Sequence, residues 1–174
     1  MYEIDLKGVN ANIENDYIII KGSLGSTKKK FNKKFVDIKI ENGKILIIPK
    51  TDNKRLKKFS ENIANALKNE IERAVNSVNN GITVKLNAVS AHFPLSLEVK
   101  GDKLIIKNIY GERVPREAKI IGDTKIEIKG QEVYVKGVDI YDVNQTIANI
   151  INTCKNMQKD QRVFQDGIYP IKEE

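Results

Sequence analysis

The chain has 174 residues, with 30 lysines and arginines against 23 acids, a net charge of +7, and 40% hydrophobic residues. That length holds one large domain or two small ones, and that hydrophobic share excludes a disordered chain. One cysteine, Cys154, excludes an internal disulfide, and with a single histidine, His92, no Cys/His zinc site can form.

In chain order, Val9 to Ile13 alternates and predicts a short strand. Asp16 to Lys21 is a β-branched run that stops at the turn Gly22-Ser23-Leu24-Gly25. Lys28, Lys29, Lys30, Lys33 and Lys34 follow around Phe31 and read as a basic loop with no buried lysine. Phe35 to Glu41 alternates apolar and polar, Asn42-Gly43 is a hairpin turn, and Lys44 to Pro49 returns as the partner strand. Thr51 or Asp52 is placed to cap a long helix. Its stripe is Leu56, Phe59, Ile63, Leu67, Ile71, Ala74, Val75 and Val78, and Asn79-Asn80-Gly81 ends it.

Ile82 to Val89 and Leu95 to Lys100 predict further strands. Asp102 to Gly111 aligns with Asp16 to Gly25 at an offset of 86, and the hairpin 126–135 aligns with 38–47 at 88. Ile147-Ala148-Asn149 aligns with Ile63-Ala64-Asn65 at 84. Three segments in one order at nearly one offset point to an internal duplication. The expected fold class is α+β: two duplicated domains, 1–82 and 83–174, each a small antiparallel sheet covered by one long amphipathic helix. The second helix carries Ile140, Val143, Ile147, Ile150, Ile151, Cys154 and Met157 on one face, with Asp139 as its N-cap and Asp142 in the first turn. From Lys155 to Tyr169 the chain loses its periodicity and reads as an irregular tail, separable from the sheets.

Enzyme chemistry finds little footing. Gly22 to Lys28 has the wrong glycine spacing for a phosphate loop and precedes a strand rather than a helix. A KH-type clamp fails too, because that loop joins two helices. His92 has no nucleophile in a visible motif, and Cys154 lies on an apolar stripe. No run is long enough to span a bilayer, and the opening residues carry no secretory signal, so a cytosolic location is expected.

Cation clusters carry more signal. The connection Glu112 to Ile121 reads as a second basic loop, with Arg113, Arg116 and Lys119. Its arginine forks suit phosphate better than lysine does. Lys155, Lys159 and Arg162 add charge in the tail, and Phe164 and Tyr169 can pack on sugar or base. Residues 1–82 hold 16 basic and 10 acidic residues, a surplus of 6, whereas 83–174 hold 14 and 13, a surplus of 1. A binding role for the second half therefore rests on local clustering.

Five segments carry a family resemblance: Lys21-Gly22-Ser23-Leu24-Gly25, Ala91-His92-Phe93-Pro94, Lys107 to Arg113, Gly137-Val138-Asp139-Ile140 and Arg162 to Tyr169. Through them the chain resembles the sixth protein of the large ribosomal subunit, in its archaeal and eukaryotic form. Ser23 stands where that family usually has proline, and Val163 where a basic residue is common. The resemblance implies a non-catalytic, cofactor-free subunit of the cytoplasmic ribosome. Its partners would be large-subunit ribosomal RNA near the stalk base, neighbouring ribosomal proteins and, close by, translation factors, with no membrane and no small-molecule substrate. Carried over by position, Arg113, Arg116, Lys119, Lys155, Lys159, Arg162, Phe164 and Tyr169 become RNA contacts, and Lys28, Lys29, Lys30, Lys33 and Lys34 secondary ones. A free RNA-binding or assembly factor with the same fold is the alternative, and a phosphate-ligand enzyme using Gly22 to Lys28 is a third reading from another class.

Overall fold

The computed structural model describes residues 2–6, 8–41, 43–50, 54–91, 93–156, 160 and 162–171, with backbone only at 54 and 55. The chain is α+β, with small antiparallel sheets and two helices, and divides into two compact units, Met1–Gly81 and Ile82–Glu174.

The first unit runs β1 (Tyr2–Asp5), β2 (Asn10–Glu14), β3 (Tyr17–Lys21), β4 (Ser26–Lys30), β5 (Val36–Glu41), β6 (Lys44–Pro49) and α1 (Lys54–Asn80). It forms two three-stranded sheets, β1-β6-β5 and β2-β3-β4, not one. In β5 the alternation works as expected: Val36 and Ile38 are buried while Asp37 and Lys39 face solvent. The opening strand β1 has only Ile4 buried, too little to register as a pattern, and its place comes from pairing with β6.

The lysine stretch corrects the loop expectation, because Ser26–Lys30 is a strand paired along β3. Register decides each lysine's fate, since successive side chains point to opposite faces. Thr27 and Lys29 turn inward with Phe31, and Lys29 is only 3% exposed, whereas Lys28 and Lys30 turn outward.

Helix α1 buries Leu67, Ile71, Ala74, Val75 and Val78, and packs on β6, β1, β5, β3 and β4. Its first turns depart from the expected stripe: Leu56 is 44% and Phe59 51% exposed. Thr51, Asp52, Asn42 and His92 lie outside the described residues. At the other end Gly81 takes φ +72° and donates to the Ser77 carbonyl at 2.8 Å, closing the helix.

The second unit runs β7 (Ile82–Val89), β8 (Ser96–Lys100), β9 (Lys103–Lys107), a 3-10 turn (Ile109–Gly111), β10 (Arg116–Lys119), β11 (Lys125–Lys129), β12 (Glu132–Gly137), α2 (Ile140–Cys154) and β13 (Gly167–Pro170). Its sheets are β10-β9-β8 and β11-β12-β7-β13. Ile82 opens β7, so it belongs here and not to the preceding unit. Asp139 accepts the Tyr141 amide at 2.9 Å as N-cap, and Val143, Ile150 and Cys154 sit in the core with Leu86, Leu104 and Ile106. Met157 lies outside the described residues.

The end of the tail is a strand, which its composition does not suggest. Gly167–Pro170 pairs antiparallel with β7, and Ile168 is 1% exposed. Removing the chain from Lys155 onward would strip an edge strand from the sheet, so the tail is not separable.

Gly22 is required by close approach. A Cβ there would overlap the Val78 side chain, at the place where Leu24 donates its amide to the Val78 carbonyl at 3.2 Å. Gly22→Ala is expected to destabilise the protein by about 2 kcal/mol, the usual effect of overpacking a filled site, read as a lowered urea midpoint.

Candidate nucleic-acid interface

Three segments of the second unit meet at one end of it. The first is the tight turn after β9, where Asn108, Tyr110 and Gly111 all take positive φ, at 64°, 52° and 75°. Asparagine and glycine accept that geometry, but tyrosine needs outside contacts to hold it there. Ile109, fully buried, anchors the turn from below. The Tyr110 hydroxyl donates to the Cys154 carbonyl at 3.2 Å, and burial raises its pKa, so it stays a proton donor.

The second segment is 91–94. The Asn108 side-chain amide donates to the Pro94 carbonyl at 3.1 Å, and the Phe93 ring lies against Gly111. The third is the tail. Asp166, 1% exposed, accepts the Ala91 amide at 2.6 Å, which ties the tail to the 91–94 segment just before β13 begins.

Arg116 fastens the whole. Its Nη1 donates to the carbonyls of Thr153, in the last turn of α2, and of Lys155, just past it, at 2.8 and 3.0 Å. Its Nε and Nη2 donate to the two Glu112 oxygens at 2.8 and 2.6 Å, and its charge lies 5.6 Å from the centre of the Tyr110 ring. A helix ends with carbonyls that lack intrahelical partners, and a cation at that end also suits the dipole. Arg116 serves both needs, and its hydrogen bonds to Glu112 raise its pKa further. Four of the fork's five N–H groups are engaged within the protein, which leaves it little to offer a phosphate.

The other expected contacts separate into groups. Arg113 is exposed in the link between the tight turn and β10. Lys155 is exposed just past α2 and shares a small cleft with Tyr110, Asp166 and Tyr169. Arg162 is exposed, with its amide on the Asp160 carboxylate at 2.9 Å, while Phe164 is half-buried. Tyr169 sits on β13 opposite Asn87 and is 43% exposed. Lys119 is not with them. It ends β10 opposite Lys103, three residues or roughly 10 Å along the strand from Arg116. Lys159 lies outside the described residues. Lys28, Lys29, Lys30, Lys33 and Lys34 all belong to the first unit, where Lys33 pairs with Asp16 at 3.4 Å.

Cations on the sheet faces are matched differently. Lys103 pairs with Glu117 at 2.6 Å, Lys107 with Glu98 at 2.8 Å and Lys136 with Glu127 at 2.7 Å. The lysines hold Glu98 and Glu127 below the ordinary carboxylate range through hydrogen bonds. Arg113, Lys155 and Arg162 have no ion-pair partner among the described residues, so this end keeps open positive charge while the faces are neutralised. The chain turns from Gly22 straight into β4, so no helix N-terminus backs the Gly22 to Lys28 segment. Among the described residues no cluster of three His, Cys, Asp or Glu could hold a metal ion, and no helix is long and apolar enough to cross a membrane.

Asn108, Tyr110, Ala91 and Asp166 complete the site; all four lie within segments that carry the family resemblance, but no residue pattern assigns them their contacts. Asn108 and Gly111 do mark a turn, but nothing in the residue type of Tyr110 announces positive φ. The Asp166–Ala91 bond joins residues too distant in sequence for any local pattern to show it.

Comparison with known proteins adds a second kind of observation. The family model described as "Ribosomal protein L6" matches residues 93–167. A "Large ribosomal subunit protein uL6" from Methanosarcina mazei is 36% identical over 165 residues, covering 95% of this chain and 92% of that protein. The protein of the same description from Archaeoglobus fulgidus is 38% identical over 151 residues, covering 87% and 75%. The one from Methanobrevibacter smithii is 36% identical over 174 residues, covering 99% and 95%.

Cys154 reports on the Arg116 clamp. Burial pushes its thiol up to about 11, so at pH 8 only about 0.1% is thiolate, the reactive form. Arg116→Ala takes the donor from the Thr153 and Lys155 carbonyls and loosens the end of α2. The access gained outweighs the loss of a nearby charge that lowers the thiol pKa, and Cys154 alkylation at pH 8 is expected to speed at least tenfold. Arg116→Lys should fall between, because an ammonium can reach one carbonyl but cannot fork.

Proposed function

The chain belongs to the ribosomal protein L6 family, and from that we propose that it is a structural, non-catalytic constituent of the large ribosomal subunit in the cytoplasm. It binds large-subunit ribosomal RNA near the stalk base and the region where translation factors dock, alongside neighbouring ribosomal proteins. The single observation that carries the reading is the tie between the tight turn, the 91–94 segment and the tail, with Lys155 and Tyr169 lining one cleft and Arg113 and Arg162 exposed on the chain that leads out of the turn and into the tail. Open cations there meet phosphates, and the fixed turn supplies a shape that a folded RNA can match. Tyr169 offers an exposed ring edge for sugar or base.

We also infer that the two units, Met1–Gly81 and Ile82–Glu174, are copies of one ancestral domain. Strand orders support this: β1-β6-β5 beside β7-β12-β11, and β2-β3-β4 beside β8-β9-β10, hold the same positions in chain order. In each unit one helix follows the sixth strand. Only the second copy adds a strand after its helix, β13, and with it the tail that makes the interface. The lysines of β4 and the following loop are then a secondary contact.

Each phosphate that a protein neutralises adds about 1 to the slope of log affinity against log salt. Replacing Arg113, Lys155 and Arg162 together with alanine is expected to lower that slope by about 2 to 3. Arg116→Lys should leave the slope unchanged, because that side chain does not meet phosphate. The measurement is fluorescence anisotropy on a large-subunit RNA fragment across a salt series. An unchanged slope in the triple variant would place the interface elsewhere. Co-sedimentation with large subunits after a high-salt wash separates a resident subunit, which stays, from an assembly factor, which leaves.

A further inference from the structure

The first unit has a groove of about 710 Å³ between α1 and the end of β4. Its floor is apolar, with Phe31 and Leu67 at the bottom and Ile63 and Ala66 along the wall. The same helix face continues past the sheets to Phe59 and Leu56, which are 51% and 44% exposed. Phe59 meets Phe35 edge-on at 5.3 Å, leaving much of its surface uncovered. The result is an unpartnered helix face running into a cleft large enough for one or two bulky side chains.

Charge around it is lopsided. Lys30, Lys33 and Lys34 line the rim against Asp16 and Glu70, and Lys33 already engages Asp16 at 3.4 Å. Lys30 and Lys34 have no ion-pair partner among the described residues. The beginning of α1 adds Lys57 and Lys58, and no acid lies in its first turn. Cations at that end oppose the helix dipole, so the free helix is less stable than it could be, and an anionic partner would offset this.

We propose that this groove docks an acidic protein segment that inserts apolar side chains beside Phe59 and Ile63 and sets carboxylates against Lys30 and Lys34. RNA would satisfy the lysines but leave Leu56, Phe59 and Ile63 unburied. Exposed apolar surface rimmed by charge is the mark of a protein contact. In the particle, the partner is a neighbouring protein with an acidic, apolar-anchored segment, a reading that rests on the ribosomal role proposed above.

The test places the photo-crosslinking residue benzoylphenylalanine at Phe59 of the full chain and purifies large subunits. Sedimentation first reads incorporation, and if the chain fails to sediment, the ribosomal reading fails. In particles that contain it, the expected crosslink falls on a protein segment whose apolar residue is flanked by Asp or Glu. Adding Ala66→Glu should cut its yield at least fivefold, and Ala66→Lys should not. A crosslink to RNA, to a non-acidic segment or to nothing overturns the proposal. The free full chain gives an independent reading with a labelled peptide of helically spaced Glu and Leu. It should bind saturably, at least tenfold tighter than a peptide with Ser for Leu, and at least tenfold more weakly to the Ala66→Glu chain. Absence of that pattern overturns the groove whether or not the chain sediments.

Discussion

The open carbonyls at the end of α2 need donors, and where those donors come from decides the layout of the second unit's working end. Arg116 reaches them from β10 and Tyr110 from the tight turn, so one sheet, one turn and the helix terminus become a single block. A hydrogen bond to a charged group contributes about 1.5–3 kcal/mol, and here two carbonyls and a carboxylate share one guanidinium. That block sets the direction in which the chain leaves the helix. The tail returns to pair with β7, and the Asp166–Ala91 bond brings the 91–94 segment into the same assembly.

Positive charge is distributed with the same logic. The sheet lysines of the second unit are largely answered by glutamates on neighbouring strands, which keeps the faces soluble and close to neutral. Arg113, Lys155 and Arg162, which have no ion-pair partner among the described residues, are exposed on the stretches that flank the tied end. Net charge hides this, because the half with almost no basic surplus holds the proposed interface. The other half, basic overall, buries one of its lysines and ties another to Asp16.

Much of the fold is legible in the residues, for local reasons. β5, β6 and β7 alternate or run apolar between turn signals, and α2 announces itself by period and by Asp139. Legibility fails where a non-local pairing overrides local composition. Lysine density makes Lys28 to Lys30 look like a loop, yet pairing with the isoleucines of β3 makes it a strand and buries Lys29. The Arg116 region misleads in the same way, since β10 exists only through β9. Leu56 and Phe59 fit the helical stripe, but periodicity cannot say where the sheets beneath a helix end. β13 has no pattern because a four-residue edge strand borrows its order from β7. At the candidate site, residue type identifies the cations, but the inward turn of Arg116 is a matter of geometry alone.

The most direct measurement is a high-resolution density map of the large subunit carrying this chain. RNA phosphates are predicted within hydrogen-bond reach of Arg113, Lys155 and Arg162, with Arg116 still on the Thr153 and Lys155 carbonyls. RNA lying on the Lys–Glu paired sheet faces, or an Arg116 side chain swung out onto a phosphate, would contradict it.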